Sequence, residues 1–195
     1  SPRYDSISNL SNLSQNYVLL ATTGPQPESI FGLNIKNIEE YKNSIIEIIK
    51  IVKSTNSKLI IKQHPSAAEF SISKIVKEID PNVEVITYGD IIPLIKSCSV
   101  MISIGVSTSI LEAQILHKPV ISLPGINYHW GYPSVFESCL VSNLSDLKSN
   151  LNTILNDDIK RQELIKKGNI FAKKYVNNLG TSIPTIIKYL ENFQL

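Results

Sequence analysis

Short apolar runs that alternate with helix-length stretches constrain this chain more than any other feature. The runs are Tyr17-Val18-Leu19-Leu20-Ala21, Lys58-Leu59-Ile60-Ile61-Lys62, Val83-Glu84-Val85-Ile86, Val100-Met101-Ile102-Ser103-Ile104 and Val120-Ile121-Ser122-Leu123, with Cys139-Leu140-Val141 as a candidate sixth. Their near-continuous apolar character predicts strands buried on both faces. Ile38 to Lys53 reads as an amphipathic helix with Ile45, Ile48, Ile49 and Val52 on one side. Ser66 to Ile79, Asp90 to Ser97 and Ser109 to Leu116 read as further helices, the second with Asp90 as N-cap. From Leu144 to Leu195 the pattern is helical, with breaks near Asn156-Asp157-Asp158 and Gly180. Strands regularly separated by helices predict an α/β fold: a doubly wound, Rossmann-like parallel sheet followed by C-terminal helices from about residue 144.

In such sheets ligands bind beyond the carboxyl ends of the strands. Three polar segments fall there: Thr22 to Glu28, His64-Pro65-Ser66 and Gly105 to Glu112. The most informative is the last, within Ser103-Ile104-Gly105-Val106-Ser107-Thr108-Ser109-Ile110-Leu111-Glu112-Ala113. A strand runs into a small-residue turn with clustered hydroxyls, then into a helix. The helix N-terminus offers unpaired N–H groups and the positive end of its dipole, Gly105 permits a tight turn, and Ser107, Thr108 and Ser109 add hydroxyls. This is a candidate phosphate cradle. Glu112, one turn on, could accept two hydrogen bonds from a ribose diol. The plainer reading makes Ser107 or Thr108 an N-cap and Glu112 a surface charge. His64 could hold a phosphate or bond to a neighbouring loop, with Pro65 fixing the turn. Gly24, in Gly24-Pro25-Gln26-Pro27-Glu28, lies in a first loop that either faces a cleft or is a rigid surface loop. Tyr88-Gly89-Asp90 could border a nucleobase, and Asn127-Tyr128-His129-Trp130-Gly131-Tyr132 could line a pocket or pack on the core.

Other chemistries find little support. The 195 residues suit one domain, and 43% hydrophobic against 18% charged residues is globular composition. The net charge is +2, and Arg3 and Arg161 are the only arginines among 19 basic residues, which disfavours nucleic-acid binding. The Lys166-Lys167 and Lys173-Lys174 pairs read as the solvated face of a helix, against a membrane-surface or polyanion patch. No apolar run reaches the ~18–20 residues that cross a bilayer, and Ser1-Pro2-Arg3-Tyr4-Asp5 does not open a signal peptide. Cys98 and Cys139 lie in no metal-binding spacing and read as reduced core residues, which favours a cytoplasmic compartment. His64, His117 and His129 are not spaced for a helical metal site, and no metal or cofactor is expected. The sequence lacks GxxxxGK[ST], GxSxG, and a GxGxxG after the first strand.

Together these motifs resemble the C-terminal domain of GT-B enzymes of surface-polysaccharide biosynthesis. The relatives are the UDP-N-acetylglucosamine 2-epimerase family, the CDP-glycerol glycerophosphotransferases and the capsule sialyl- and Kdo-transferases. The resemblance runs from about Tyr17 to Asp157. Lys62-Gln63-His64-Pro65 looks like their shared His-Pro motif, and Asp90 to Ser99 like a border of their nucleotide pocket. Ser107-Thr108-Ser109 with Glu112-Ala113 and Lys118-Pro119-Val120 looks like their hydroxyl-or-glycine turn, Glu-Ala helix and Lys-Pro-Val strand. The resemblance implies that His64 and Ser107 to Ser109 bind the phosphate of a CMP-, CDP- or UDP-linked sugar, and that Glu112 binds its ribose. His64 is the one residue it implies in catalysis. Gly24, Pro65, Tyr88, Asp90 and Gly105 would complete the nucleotide site. Epimerases carry a Gly-Gly pair with adjacent acidic residues at the turn, so the single carboxylate here leans toward a transferase. An epimerase domain and a nucleotide-binding module without its own reaction are the alternatives. Residues 1–15 resemble an interdomain linker and 16–195 the donor-binding domain, so a glycan acceptor would sit on a missing N-terminal half. A cytoplasmic enzyme follows, with peripheral association at the inner membrane face left open for the longer protein.

Overall fold

A computed structural model of the protein describes residues 2–5, 7, 16–22, 35–64, 72–104, 107–123, 135 and 137–193. The described strands are β1 (Tyr17–Ala21), β2 (Lys58–Lys62), β3 (Glu84–Ile86), β4 (Val100–Ile104), β5 (Val120–Leu123) and β6 (Leu140–Val141). The helices are α1 (Pro2–Asp5), α2 (Ile35–Ser54), α3 (Ser73–Ile79), α4 (Ile92–Ser97), α5 (Thr108–Ile115), α6 (Leu144–Asn156), α7 (Asp158–Tyr175) and α8 (Ser182–Asn192). The strands form one sheet in the order β3-β2-β1-β4-β5-β6, and every neighbouring pair is parallel. This is the expected doubly wound, Rossmann-like arrangement with C-terminal helices.

Alternating side chains of the buried strands feed two apolar layers, one on each face. Val18, Leu20, Ile61, Ile102, Ile121 and Leu123 point to one face, where Ile45, Ile48, Ile49 and Val52 of α2 and Leu147, Leu151 and Ile154 of α6 cover them. Leu19, Ile60, Met101 and Val120 point to the other, under Ile95 of α4 and Ile110 and Ala113 of α5. The apolar stripe read from Ile45 to Val52 is therefore the face of α2 that enters the core.

Local signals explain most of the ends. Asp157 is extended, at φ −106° and ψ 102°, and closes α6 while its carboxylate accepts from the Lys160 N–H at 3.0 Å to open α7. The expected break at Asn156-Asp157-Asp158 is thus a shared cap. Helix α4 starts at Ile92 rather than Asp90, because Asp90 lies before it and its carboxylate accepts from the Ile92 N–H at 3.1 Å. The described part of the helix read from Ser66 begins at Ser73, and residues 65–71 lie outside the described residues. Cys98 and Cys139 are free and buried, and burial pushes their thiols up to about 12 and about 11. Neither offers a thiolate nucleophile.

One helix contact is sterically exacting. Gly168 of α7 is buried where α7 passes α5, and a Cβ there would lie 2.8 Å from Gln114 Cγ. Gln114 cannot move freely, since it is 1% exposed and its Nε2 donates to Ser138 Oγ at 2.6 Å. Gly168→Ala is therefore expected to destabilise the protein by about 1–3 kcal/mol through overpacking, despite a helix-propensity gain of about 1 kcal/mol. A melting temperature lowered by several degrees would show it. The double variant with Gln114→Ala should recover part of the loss, and an unchanged or raised melting temperature for Gly168→Ala alone would refute the contact.

Candidate active site

The strand order reverses between β1 and β4, and there the carboxyl ends of the strands open a crevice. The sheet prepares that edge chemically. On the α4/α5 face, one cross-strand row reads Ile60, Leu19, Met101 and Val120. The next row toward the carboxyl ends reads Lys62, Ala21, Ser103 and Ser122. Large apolar side chains give way within two residues to small and polar ones, which leaves a polar floor.

A cavity of about 250 Å³ stands at this edge. Ala21 and Thr22 line it after β1, Lys62, Gln63 and His64 at the end of β2, and Gly89, Asp90 and Ile91 between β3 and α4. Ser107, Thr108, Ser109 and Glu112 line it from the start of α5. Main-chain bonds fix the β2 tip between its neighbours. The Gln63 N–H donates to Ile86 O at 3.0 Å, and the Thr22 N–H donates to Lys62 O at 3.1 Å. The His64 N–H donates to Thr22 Oγ1 at 3.2 Å. This leaves His64 exposed at the mouth, with its main chain tied to Thr22. Gly89 has φ +87°, a conformation that a side chain would strain, and so allows the chain to turn from β3 into α4.

Ser107 is the N-cap of α5, extended at φ −142° and ψ 151°. Its Oγ accepts from the Ser109 N–H at 3.3 Å and from Ser109 Oγ at 3.0 Å. The cap reading of Ser107 is therefore correct, yet the capped helix end also faces the cavity, so cap and cradle are compatible. Glu112 is 1% exposed, which overturns the surface-charge reading. The helix turns its carboxylate into the cavity wall. Lys62 is only 4% exposed, and its Nζ donates to Thr87 O at 2.8 Å and Gln63 O at 3.3 Å. A buried ammonium, a helix N-terminus and three hydroxyls suit an anionic group, while Glu112 and the exposed Asp90 suit hydroxyl donors.

No family model matches the chain, and no curated protein matches it. Solved structures do. TarM superposes with a TM-score of 0.59 at 17% identity, over 95% of this chain and 36% of TarM. The glycosyltransferase SnogD from Streptomyces nogalater gives 0.58 at 14% identity, over 93% of this chain and 45% of SnogD. HepE from Anabaena, solved in complex with UDP-glucose, gives 0.56 at 17% identity, over 99% of this chain and 54% of HepE. The chain has a fold found in GT-B glycosyltransferases. It spans between about a third and about half of the length of these structures.

Of the residues singled out in the sequence, the fold brings together His64, Asp90, Ser107, Thr108, Ser109 and Glu112. Tyr88 is not among the lining residues and is 82% exposed, since the turn at Gly89 directs the chain inward only from Asp90 on. Gly24, Pro65 and Gly105 lie outside the described residues, as does the segment Asn127 to Tyr132. Thr22, Lys62, Gln63 and Gly89 lie within segments singled out in the sequence but carry no individual site assignment there. Lys62 carried a signal, as a charged residue two positions after Ile60 on a strand read as buried throughout. A larger cavity of about 450 Å³, lined mainly by apolar groups such as Ile48, Ile104 and Leu123, lies on the other face of the sheet and includes none of these residues.

Proposed function

We propose that this chain is the nucleotide-sugar-binding, C-terminal half of a GT-B glycosyltransferase of cell-surface polysaccharide biosynthesis. One observation carries the reading: four segments far apart in sequence converge on one cavity at the strand-order reversal, as a phosphate and a ribose would require. The amino end of α5 with Ser107 to Ser109, Lys62 and His64 would hold the phosphates of a CMP-, CDP- or UDP-linked sugar. Glu112 would hold the ribose diol, Asp90 would border the nucleotide, and Gly24, Pro65 and Gly105 would contribute to binding it. HepE, of similar fold, was solved with UDP-glucose, which supports a nucleotide-sugar donor.

Transfer would take place in a cleft between this domain and an acceptor-binding N-terminal half joined through residues 1–15. The developing charge on the leaving phosphate would be stabilised from this side, by the α5 terminus and His64. A base for the acceptor would come from the other half, so this chain alone would bind donor without transferring it. The enzyme would work in the cytoplasm, at the inner face of the membrane where surface polysaccharides are assembled.

A thermal-shift series with CMP, CDP and UDP tests the reading. With one wall of the cleft absent, the Kd should fall between high micromolar and millimolar, about 4–6 kcal/mol. Ligand at roughly tenfold the Kd then stabilises by about 1.4 kcal/mol, a rise of a few degrees. No shift with any nucleotide, together with soaked crystals that show an empty Ser107 turn, would overturn it.

A further inference from the structure

Lys62 is a charged side chain where the sheet would accept an apolar one. It ends β2 at 4% exposure, two residues after Ile60 and on the same face. Its register partner Ile86 packs against the apolar layer under α4 and α5. A leucine or methionine would fill such a place without electrostatic cost. An ammonium taken out of water destabilises the fold unless hydrogen bonds replace its hydration. The groups that Lys62 bonds therefore show what it is for.

Both are main-chain carbonyls beside the cavity. Nζ donates to Thr87 O at 2.8 Å and to Gln63 O at 3.3 Å. The shorter bond joins segments 25 positions apart. The β2–β3 ladder pairs Ile60, Ile61 and Lys62 with Glu84, Val85 and Ile86, and the Gln63 N–H extends it by donating to Ile86 O at 3.0 Å. One residue after Ile86 the chain leaves the ladder for the turn at Gly89, and there the lysine side chain makes the link. It reaches from the β2 tip, where His64 follows, to the head of Thr87-Tyr88-Gly89-Asp90. The outer ends of both segments are tied elsewhere. The His64 N–H donates to Thr22 Oγ1 after β1, and the Asp90 carboxylate accepts from the Ile92 N–H of α4. Strand β3 between them is a three-residue edge strand, paired with β2 on one side. The end of such a strand opens more readily than the centre of a sheet.

We infer that Lys62 is a positioning residue of the donor site: its ammonium ties the turn that carries Gly89 and Asp90 to the strand tip that carries His64, and so sets the width of the cavity between them. The inference rests on the reading of this cavity as a nucleotide site and adds a task to Lys62. Its charge serves the phosphates. Its hydrogen bonds serve the side where Asp90 borders the nucleotide.

The tie is tested first without ligand, by amide hydrogen exchange of the 195-residue chain. In Lys62→Met the amides of Gln63 and Ile92 should exchange at least about tenfold faster than in wild type, as expected for loss of a hydrogen bond from a charged group. Those of Leu151 and Ile154 in α6, on the opposite face of the sheet, should keep their rates. If Lys62→Met does not fold, Lys62→Gln, whose neutral donor is one atom shorter, is read in its place. Unchanged exchange at Gln63 and Ile92 overturns the inference. So does a rise shared by α6, which would make Lys62 a residue of general stability. The task in binding is tested with uridine and cytidine, which carry no phosphate for the lysine charge to attract. Their affinity, from chemical-shift titration, should fall about threefold to tenfold in the variant, because the turn is in its binding position only part of the time. A variant that binds the nucleosides as wild type does, yet loses affinity for UDP and CDP, would assign Lys62 to charge alone. That overturns the inference and leaves the nucleotide site standing. A wild type that binds neither nucleotide nor nucleoside removes the reading of the cavity, and the inference with it.

Discussion

Alanine in place of His64 is expected to lower sugar transfer by the proposed two-domain enzyme about 10²–10³-fold, the cost of losing one preorganised contact to a developing charge. The fold should survive. His64 is exposed at the cavity mouth, and main-chain donors help to hold this tip, the His64 N–H to Thr22 Oγ1 and the Gln63 N–H to Ile86 O. Removal of the imidazole leaves those bonds in place and takes away a donor group from the position where a phosphate would leave. Turnover measured with nucleotide sugar, beside the melting temperature of the same preparation, separates the two effects. A folded His64→Ala enzyme with undiminished turnover would return His64 to a purely structural role. A protein that transfers sugar from this domain alone would contradict the assignment of the acceptor and its base to another half.

Glu112→Gln is expected to raise the Kd for a ribonucleotide about tenfold to a hundredfold, since a hydrogen bond to a charged group contributes about 1.5–3 kcal/mol. From the sequence such a change would leave stability almost untouched. The structure alters that part of the expectation, because Glu112 is 1% exposed and its replacement alters a buried site. Stability and affinity must therefore be measured separately, the first by thermal melting without ligand and the second by calorimetry. A 2′,3′-dideoxynucleotide supplies the decisive comparison. If Glu112 holds the diol, the dideoxy ligand should bind wild type and Glu112→Gln alike, and as weakly as the ribonucleotide binds the variant. If ribonucleotide affinity is equal in both proteins while the melting temperature falls, Glu112 is a structural carboxylate and the ribose site lies elsewhere.

Most of the architecture was legible in the amino-acid sequence, because near-continuous apolar runs separated by amphipathic stretches satisfy only a sheet covered on both faces. Tyr17 to Ala21 and Val100 to Ile104 announce themselves as fully buried strands, and Ile45 to Val52 as the inner face of a helix. The hydroxyl turn at Ser107 and the strand tip at His64 were likewise visible, since their chemistry is carried by adjacent residues. What the sequence could not supply was direction and distance. The period of two puts Lys62 on the same face as Ile60, but a strand buried on both faces shows no alternation, so nothing local reveals that this is the α4/α5 face or that Lys62 enters the cavity wall. Tyr88 and Asp90 are two residues apart and equally suggestive, and only the turn at Gly89, with φ +87°, leaves one exposed outside the cavity lining and the other within it. Glu112 is the one carboxylate of a short helix, a residue type that suits the surface, and it is buried because α5 packs onto the sheet with that side inward. Gly168 and Gln114 are 54 positions apart, and their contact exists only because α7 returns to α5. Local periodicity records which residues avoid water. Which of them meet is decided by long-range packing, whose partners the chain selects only as the whole sheet closes.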